Sequence, residues 1–305
     1  MNFLALLLGL ELERVLTHLF HLREFRWLDP LFDAHLRRLG SAAGNVADRW
    51  PALAITALLA AALVMPVALL SLALEDQLLQ IPYFMFAVVV LLFSLGPRDL
   101  DDEVDDYGAA LETGDIATQQ RVATELLETV PPEQPAERNE AVERAIYLQA
   151  NNRIFGVLFW FLVLGPTGAW AFRVLDLMRH RAEARVVEAG NGHGAALNAV
   201  RTLHGVLAWI PSRLLMLGYA LAGNFEEAFD TWRNAGREAT LPFADGTAEL
   251  MSRVGIAAAG RVDLDTGDAF EALDRIKAAR SLVMRTLWII WCPVIAVLTL
   301  YDWLT

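Results

Sequence analysis

Four arginines stand inside or at the edges of long apolar runs: Arg98, Arg153, Arg173 and Arg213. A guanidinium keeps its charge at biological pH and presents a planar fork of donors that matches carboxylate and phosphate. Placed against hydrocarbon, such a cation is costly, so it faces a partner or an aqueous cavity, or snorkels to the interface. Arg98, Arg153 and Arg173 lie where helices can leave a membrane, so anchoring accounts for them as readily as binding does. Arg213 is different, because it falls within "GVLAWIPSRLLMLGYALAG", where hydrophobicity alone would place Ile or Leu. Pro211, two residues earlier, has no N–H, so it frees a carbonyl one turn back and bends the helix that displays the arginine. Asp99 follows Arg98 and can hold a guanidinium or a divalent ion, with Asp101, Asp102, Asp105 and Asp106 nearby. Solvated carboxylates at a helix N-terminus explain the same run without a metal.

Other chemistry finds less support. The one cysteine, Cys292, sits between Trp291 and Pro293 and allows neither an intrachain disulfide nor a cysteine metal cluster. His18 and His21 are one helical turn apart, with His35 further on, but no acidic ligand completes a zinc spacing. "DLDTGD" at Asp263–Asp268 lacks the twelfth-position glutamate of a calcium loop and reads as a turn and helix cap. No Walker-type glycine loop and no Ser-His-acid spacing is present.

The elements that must position these residues are long helices. Pro51 to Leu74 is 24 residues without a charge, Gln77 to Pro97 is 21, and Ile154 to Phe172 is 19; Leu282 to Tyr301 is interrupted only by Arg285. About 20 predominantly apolar residues cross a bilayer core. With 55% hydrophobic residues and a mean hydropathy of +0.37, the sequence predicts an all-α, polytopic membrane protein. It has about four spanning helices, with amphipathic and re-entrant helices beside them. "MNFLALLLGLELER" lacks the basic region and cleavage site of a signal peptide and reads as a retained amphipathic helix.

Three regions follow: residues 1–97 with the first two spans, an acidic helical subdomain at 98–150, and 151–305 with the third and last spans. The subdomain holds fourteen Asp and Glu against four Arg, which excludes nucleic-acid phosphates as its partner. Its periodicity places Val104, Tyr107 and Leu111 on one helix face and Ile116, Val122, Leu126 and Val130 on another. Gly114 ends the first of these helices, Asp115 caps the second, and Pro131–Pro132 forbids its continuation. Six arginines precede Pro51 while "EDQ" between the first two spans has none, which puts the N-terminus and the subdomain inside. The arginine-rich region after Phe172 then falls outside, unless "LVLGPTGAW" is re-entrant or "VLAWIPSRLLMLGYALAG" makes a further crossing. Both remain open.

Three stretches in combination resemble the AmpE family: "ANNRIFGVLFWFLVLGPTGAWAFRVLD" at Ala150–Asp176, "WIPSRLLMLGYALAGNFEEAF" at Trp209–Phe229, and "RSLVMRTLWIIWCPVIAVLTLYDW" near the end. "FLALLLGLELER" and "GPRDLDDEVDDY" are also similar, so the resemblance covers nearly the whole chain. It implies a bacterial inner-membrane protein linked to β-lactamase induction, commonly encoded beside a cytoplasmic amidase of cell-wall recycling. AmpE proteins are in turn similar to the CobD/CbiB-type amide synthases of cobalamin biosynthesis. "WIPSRL" resembles their "WIPARL", and "LFWFLVLGPTGAWAFR" their "LFY…GG…GA…YR" stretch. Where those synthases carry "ENT.DG", this chain reads "LQANNRIFG" and loses both carboxylates. A skeleton of arginines and asparagine suited to an anion remains: Arg98, Asn151, Arg153, Arg173 and Arg213, with Asp99 orienting one arginine. The leading expectation is a regulatory membrane protein that binds an anionic metabolite or cell-wall fragment at a cytoplasmic-interface cavity. The competing one is an amide synthase with ATP, and magnesium on the acidic cluster around Asp99. A third is a structural protein whose acidic helices dock a cytoplasmic partner.

Overall fold

A computed structural model describes residues 25–40, 49–75, 81–95, 100–189, 194–235, 242–260 and 269–297. No strand occurs among them. In chain order the helices are α1 (Asp29–Gly40), α2 (Arg49–Glu75), α3 (Ile81–Ser94), α4 (Leu100–Thr113), α5 (Ile116–Leu127), α6 (Pro135–Gln149), α7 (Gly156–Ala189), α8 (Gly194–Ala222), α9 (Phe225–Ala235), α10 (Phe243–Ala259) and α11 (Ala269–Arg285). α6 runs into α7 through a π-helical turn at Ala150–Phe155, and α11 continues into a second π-helical turn at Thr286–Trp291. The described residues form two compact units, one within Met1–Pro97 and Gly156–Ala208, the other within Arg98–Phe155 and Trp209–Asp302.

In the first unit, α1 is amphipathic. Leu28, Phe32, Leu36 and Leu39 recur at helical spacing and are buried, while Arg37 and Arg38 are exposed. Phe32 packs with Val174, Met178 and Val200. α2 has no such polarity: Leu58, Met65, Leu69 and Leu72 are all exposed, as expected of a helix whose solvent is lipid. Trp170 of α7 donates its indole N–H to the Leu63 carbonyl at 3.0 Å, one residue past the Ala62 carbonyl that Pro66 leaves without a helical donor. α7 is broken at Gly165, whose φ of 65° and ψ of −153° are open to glycine and strained for other residues. Pro166 follows and supplies no N–H, so the "LVLGPTGAW" stretch does interrupt the helix.

The second unit buries Tyr107, Val122, Leu126, Ile146, Tyr147, Leu215, Tyr219, Val254 and Leu282 in one core. Asp115 caps α5 by accepting from the backbone N–H groups of Ala117 and Thr118, at 3.1 and 3.2 Å. Gly114, with φ of 68°, closes α4. Val104, Tyr107, Leu111, Val122 and Leu126 are buried as their periodicity requires. Ile116 and Val130 depart from that pattern and are exposed. Ile116 is the first residue of α5, and Val130 lies past its end, because Glu128 turns left-handed at φ 60°.

Four helical stretches are long and apolar enough to cross a membrane: Trp50–Leu74, Pro135–Arg185, Gly194–Ala222 and Glu271–Val297. The chain is an all-helical, multi-pass membrane protein. The set differs in one member from the four apolar blocks of the sequence. The described part of the second block, α3, is a helix of only 14 residues, and the stretch containing Arg213 takes its place at spanning length. The segments 1–24, with His18 and His21, and 261–268, with "DLDTGD", lie outside the described residues.

Candidate functional site

Four residues of "WIPSRL", Trp209, Pro211, Ser212 and Arg213, have defined surroundings. Pro211 cannot donate to Leu207, and the freed Leu207 carbonyl accepts instead from the Trp160 indole N–H at 3.0 Å. Ser212 is fully buried and donates to the Trp209 carbonyl at 2.9 Å. Arg213, four residues after Trp209, lies over its ring with 4.5 Å between guanidinium carbon and ring centroid. The Arg213 Nη1 is buried and has no hydrogen-bond partner, and no carboxylate among the described residues pairs with this side chain. Such a group keeps its full capacity for a charge-assisted bond.

Asn151 and Arg153 share the π-helical turn that follows α6, and both are buried. Arg153 donates to Glu103 at 2.7 Å, to Gln149 at 3.0 Å and to the Glu125 carbonyl at 3.0 Å. Gln149 in turn donates to the Leu126 carbonyl at 2.9 Å and to Glu128 at 2.6 Å. Glu125 and Leu126 belong to the last turn of α5, whose carbonyls lack helical partners. Arg153 and Gln149 therefore cap that helix and compensate its dipole. Asn151 donates to Asn152 at 3.3 Å, and its Oδ1 is buried with no hydrogen-bond partner among the described residues.

Arg173 belongs to the first unit, where it donates to Asp176 at 2.9 Å. Asp176 is fully buried and also accepts from Arg179 at 2.8 Å, with His180 at 3.5 Å and His204 at 3.8 Å. A second cluster in that unit joins Asp33 of α1 to Arg181 at 2.8 Å and to Arg185. Hydrogen bonds from Arg185 and then Arg181 hold the Asp33 carboxyl well below the usual carboxylate range. Arg98 and Asp99 lie outside the described residues. Of the remaining four, the structure puts Asn151, Arg153 and Arg213 in the second unit and Arg173 in the first.

Two groups of partners were not anticipated. The Arg173–Asp176–Arg179 set is legible in the sequence as i, i+3 spacing on one helix. The pairs Arg153–Glu103 and Arg280–Asp101 are not, since 50 and 179 residues separate their members. Arg280 also pairs with Asp105 at 2.8 Å, so two carboxylates of the "DLDDEVDDY" run serve α11.

The chain is similar to the cobalamin biosynthesis protein CobD of Chromobacterium violaceum, 29% identical over 154 residues, which are 48% of this chain and 46% of that protein. It is similar to the protein of the same name from Stutzerimonas stutzeri, 27% identical over 150 residues, 48% of this chain and 47% of that one. The alignments thus span about half the length of the curated relatives. No solved structure matches the chain. The family model described as regulatory signalling modulator protein AmpE matches residues 1–305. The chain therefore belongs to the AmpE family.

Proposed function

We propose that this protein is an inner-membrane regulator of the AmpE type, acting in β-lactamase induction and cell-wall recycling by binding an anionic small molecule. The observation that carries the reading is Arg213, a guanidinium on a candidate spanning helix, backed by the Trp209 ring, with a buried Nη1 that has no hydrogen-bond partner among the described residues. Intramembrane cations without a protein partner mark ligand or ion sites. Asn151 supplies a further buried polar group in the same unit, and Arg98 and Asp99 complete the proposed set. Arg153 already holds Glu103, so it joins a ligand only by sharing its fork. Replacing the chromosomal copy with Arg213→Ala is expected to impair β-lactamase induction while leaving the protein in the membrane. Normal induction by a variant present at normal abundance would contradict the reading.

The likeness to CobD favours a second reading, an ATP- and magnesium-dependent amide synthase. Its magnesium would sit on the carboxylates around Asp99, two of which, Asp101 and Asp105, pair with Arg280. Among the described residues no three His, Cys, Asp or Glu side chains gather to hold a metal. Purified protein that binds and turns over ATP with magnesium would favour the synthase, and absence of both would reject it.

A further inference from the structure

The second unit contains three buried polar atoms, two of which, on Thr286 and Trp291, neither reading uses. Thr286 is fully buried, and among the described residues its Oγ1 has no hydrogen-bond partner; the buried Trp291 Nε1 and the buried Asn151 Oδ1 have none among them either. A Cβ built on Gly218 of α8 would stand 2.6 Å from the Thr286 Cγ2 and 2.7 Å from the Trp291 Nε1, so both side chains lie against this one glycine. The Trp291 ring packs on Phe155 with centroids 4.8 Å apart, and Phe155 closes the π-helical turn that carries Asn151. Two π-helical turns thus meet through their aromatic residues, and each leaves a polar side chain unsatisfied.

Unpaired buried donors and acceptors are costly to leave unmade, and π-helical turns occur frequently at functional sites. The three atoms are complementary in type. The indole N–H only donates, the asparagine Oδ1 only accepts, and the threonine hydroxyl does either. A ligand that satisfies them carries an acceptor and a donor close together and has a flat or apolar body to lie beside Phe155 and Trp291. An uncharged carboxamide is the simplest such group. We propose that the two π-helical turns and Gly218 form a binding subsite for an amide group, its carbonyl accepting from Trp291 and its N–H donating to Asn151. This inference goes beyond the anion reading: it shares Asn151 with that reading and needs no contribution from Arg213.

The test uses the full chain in detergent, with benzamide as the probe. N,N-dimethylbenzamide, which keeps the carbonyl and lacks the N–H, is the comparison. Binding is read by calorimetric titration. Benzamide is expected to bind at least several-fold more tightly than the dimethyl compound. Asn151→Leu is expected to abolish that preference, and Trp291→Phe to weaken both ligands by about tenfold, the worth of one lost hydrogen bond. Thr286→Val is close to isosteric and serves where another variant fails to fold. It is expected to raise the thermal midpoint of the unliganded protein, because it removes an unsatisfied hydroxyl, and to weaken benzamide. Equal affinity for the two amides, no binding by the wild type, or a lowered midpoint in Thr286→Val would overturn the subsite. Arg213→Ala is expected to leave benzamide affinity unchanged, so the subsite and the anion site stand or fall separately.

Discussion

Arg153 and Arg213 look alike in sequence and do different work in the structure. Arg153 is buried against Glu103 and caps α5. Removing one member of a buried ion pair strands the other charge, at about 3–5 kcal/mol. Arg153→Met or Glu103→Leu alone is therefore expected to lower stability by that order in denaturant titration, and the double replacement to recover most of the loss. Equal and additive losses would deny the coupling. His35 offers a pH test at the same scale. Thr56 gives its only proton to the Ala52 carbonyl at 2.7 Å, so the His35 Nε2 at 3.1 Å from that hydroxyl must carry a hydrogen and donate. Burial pushes the His35 pKa below its ordinary value. Below pH about 6.5 the unfolded chain gains a proton there that the folded protein refuses, so stability falls as pH drops through that region. His35→Asn is expected to flatten the thermal midpoint between pH 7 and 5.5, and an unchanged slope would reject the assignment. Asp33 follows the same sign at lower pH. The stability from its arginine pairs is complete above the ordinary carboxylate pKa and is lost only as pH falls toward its depressed folded value.

At the scale of the element, what the sequence reveals depends on whether the information is local. Apolar length announces α2, and the Gly114–Asp115 junction announces the end of α4 and the start of α5, because each rests on a few neighbouring residues. The boundary of α5 is set by a left-handed Glu128 that no propensity favours, so Val130 falls outside a pattern drawn for a longer helix. Pro211 predicted a freed carbonyl, and local reasoning ends there; that Trp160 takes it depends on a helix 47 residues away in the chain. Partners such as Glu103 for Arg153 are invisible for the same reason. α2 carries its own test. Leu58 and Leu69 are exposed on a helix that buries little of its surface, and a charge at a helix centre costs about 2.5–3.5 kcal/mol on insertion scales. Leu58→Arg with Leu69→Arg is expected to reduce the fraction of protein resistant to alkaline extraction from membranes. Undiminished resistance would mean that α2 does not face lipid.

For the whole molecule, the family and the membrane class were legible because both are written along the length of the chain, in apolar runs and in motifs such as "WIPSRL". The assembly of each unit from segments far apart in sequence was not, since the 98–155 stretch finds its core partners beyond Trp209. That arrangement leaves Arg213 with a buried donor that no described residue uses, and the proposed function depends on it. The most direct measurement is calorimetric titration of inorganic phosphate and of acetate into the purified protein, compared with Arg213→Gln. A charge-assisted bond contributes about 1.5–3 kcal/mol, which is roughly a tenfold to hundredfold change in affinity. The account expects at least one of these anions to bind the wild type and to be weakened by that factor in the variant. Anion binding indifferent to Arg213, or absent from the wild type, would contradict it.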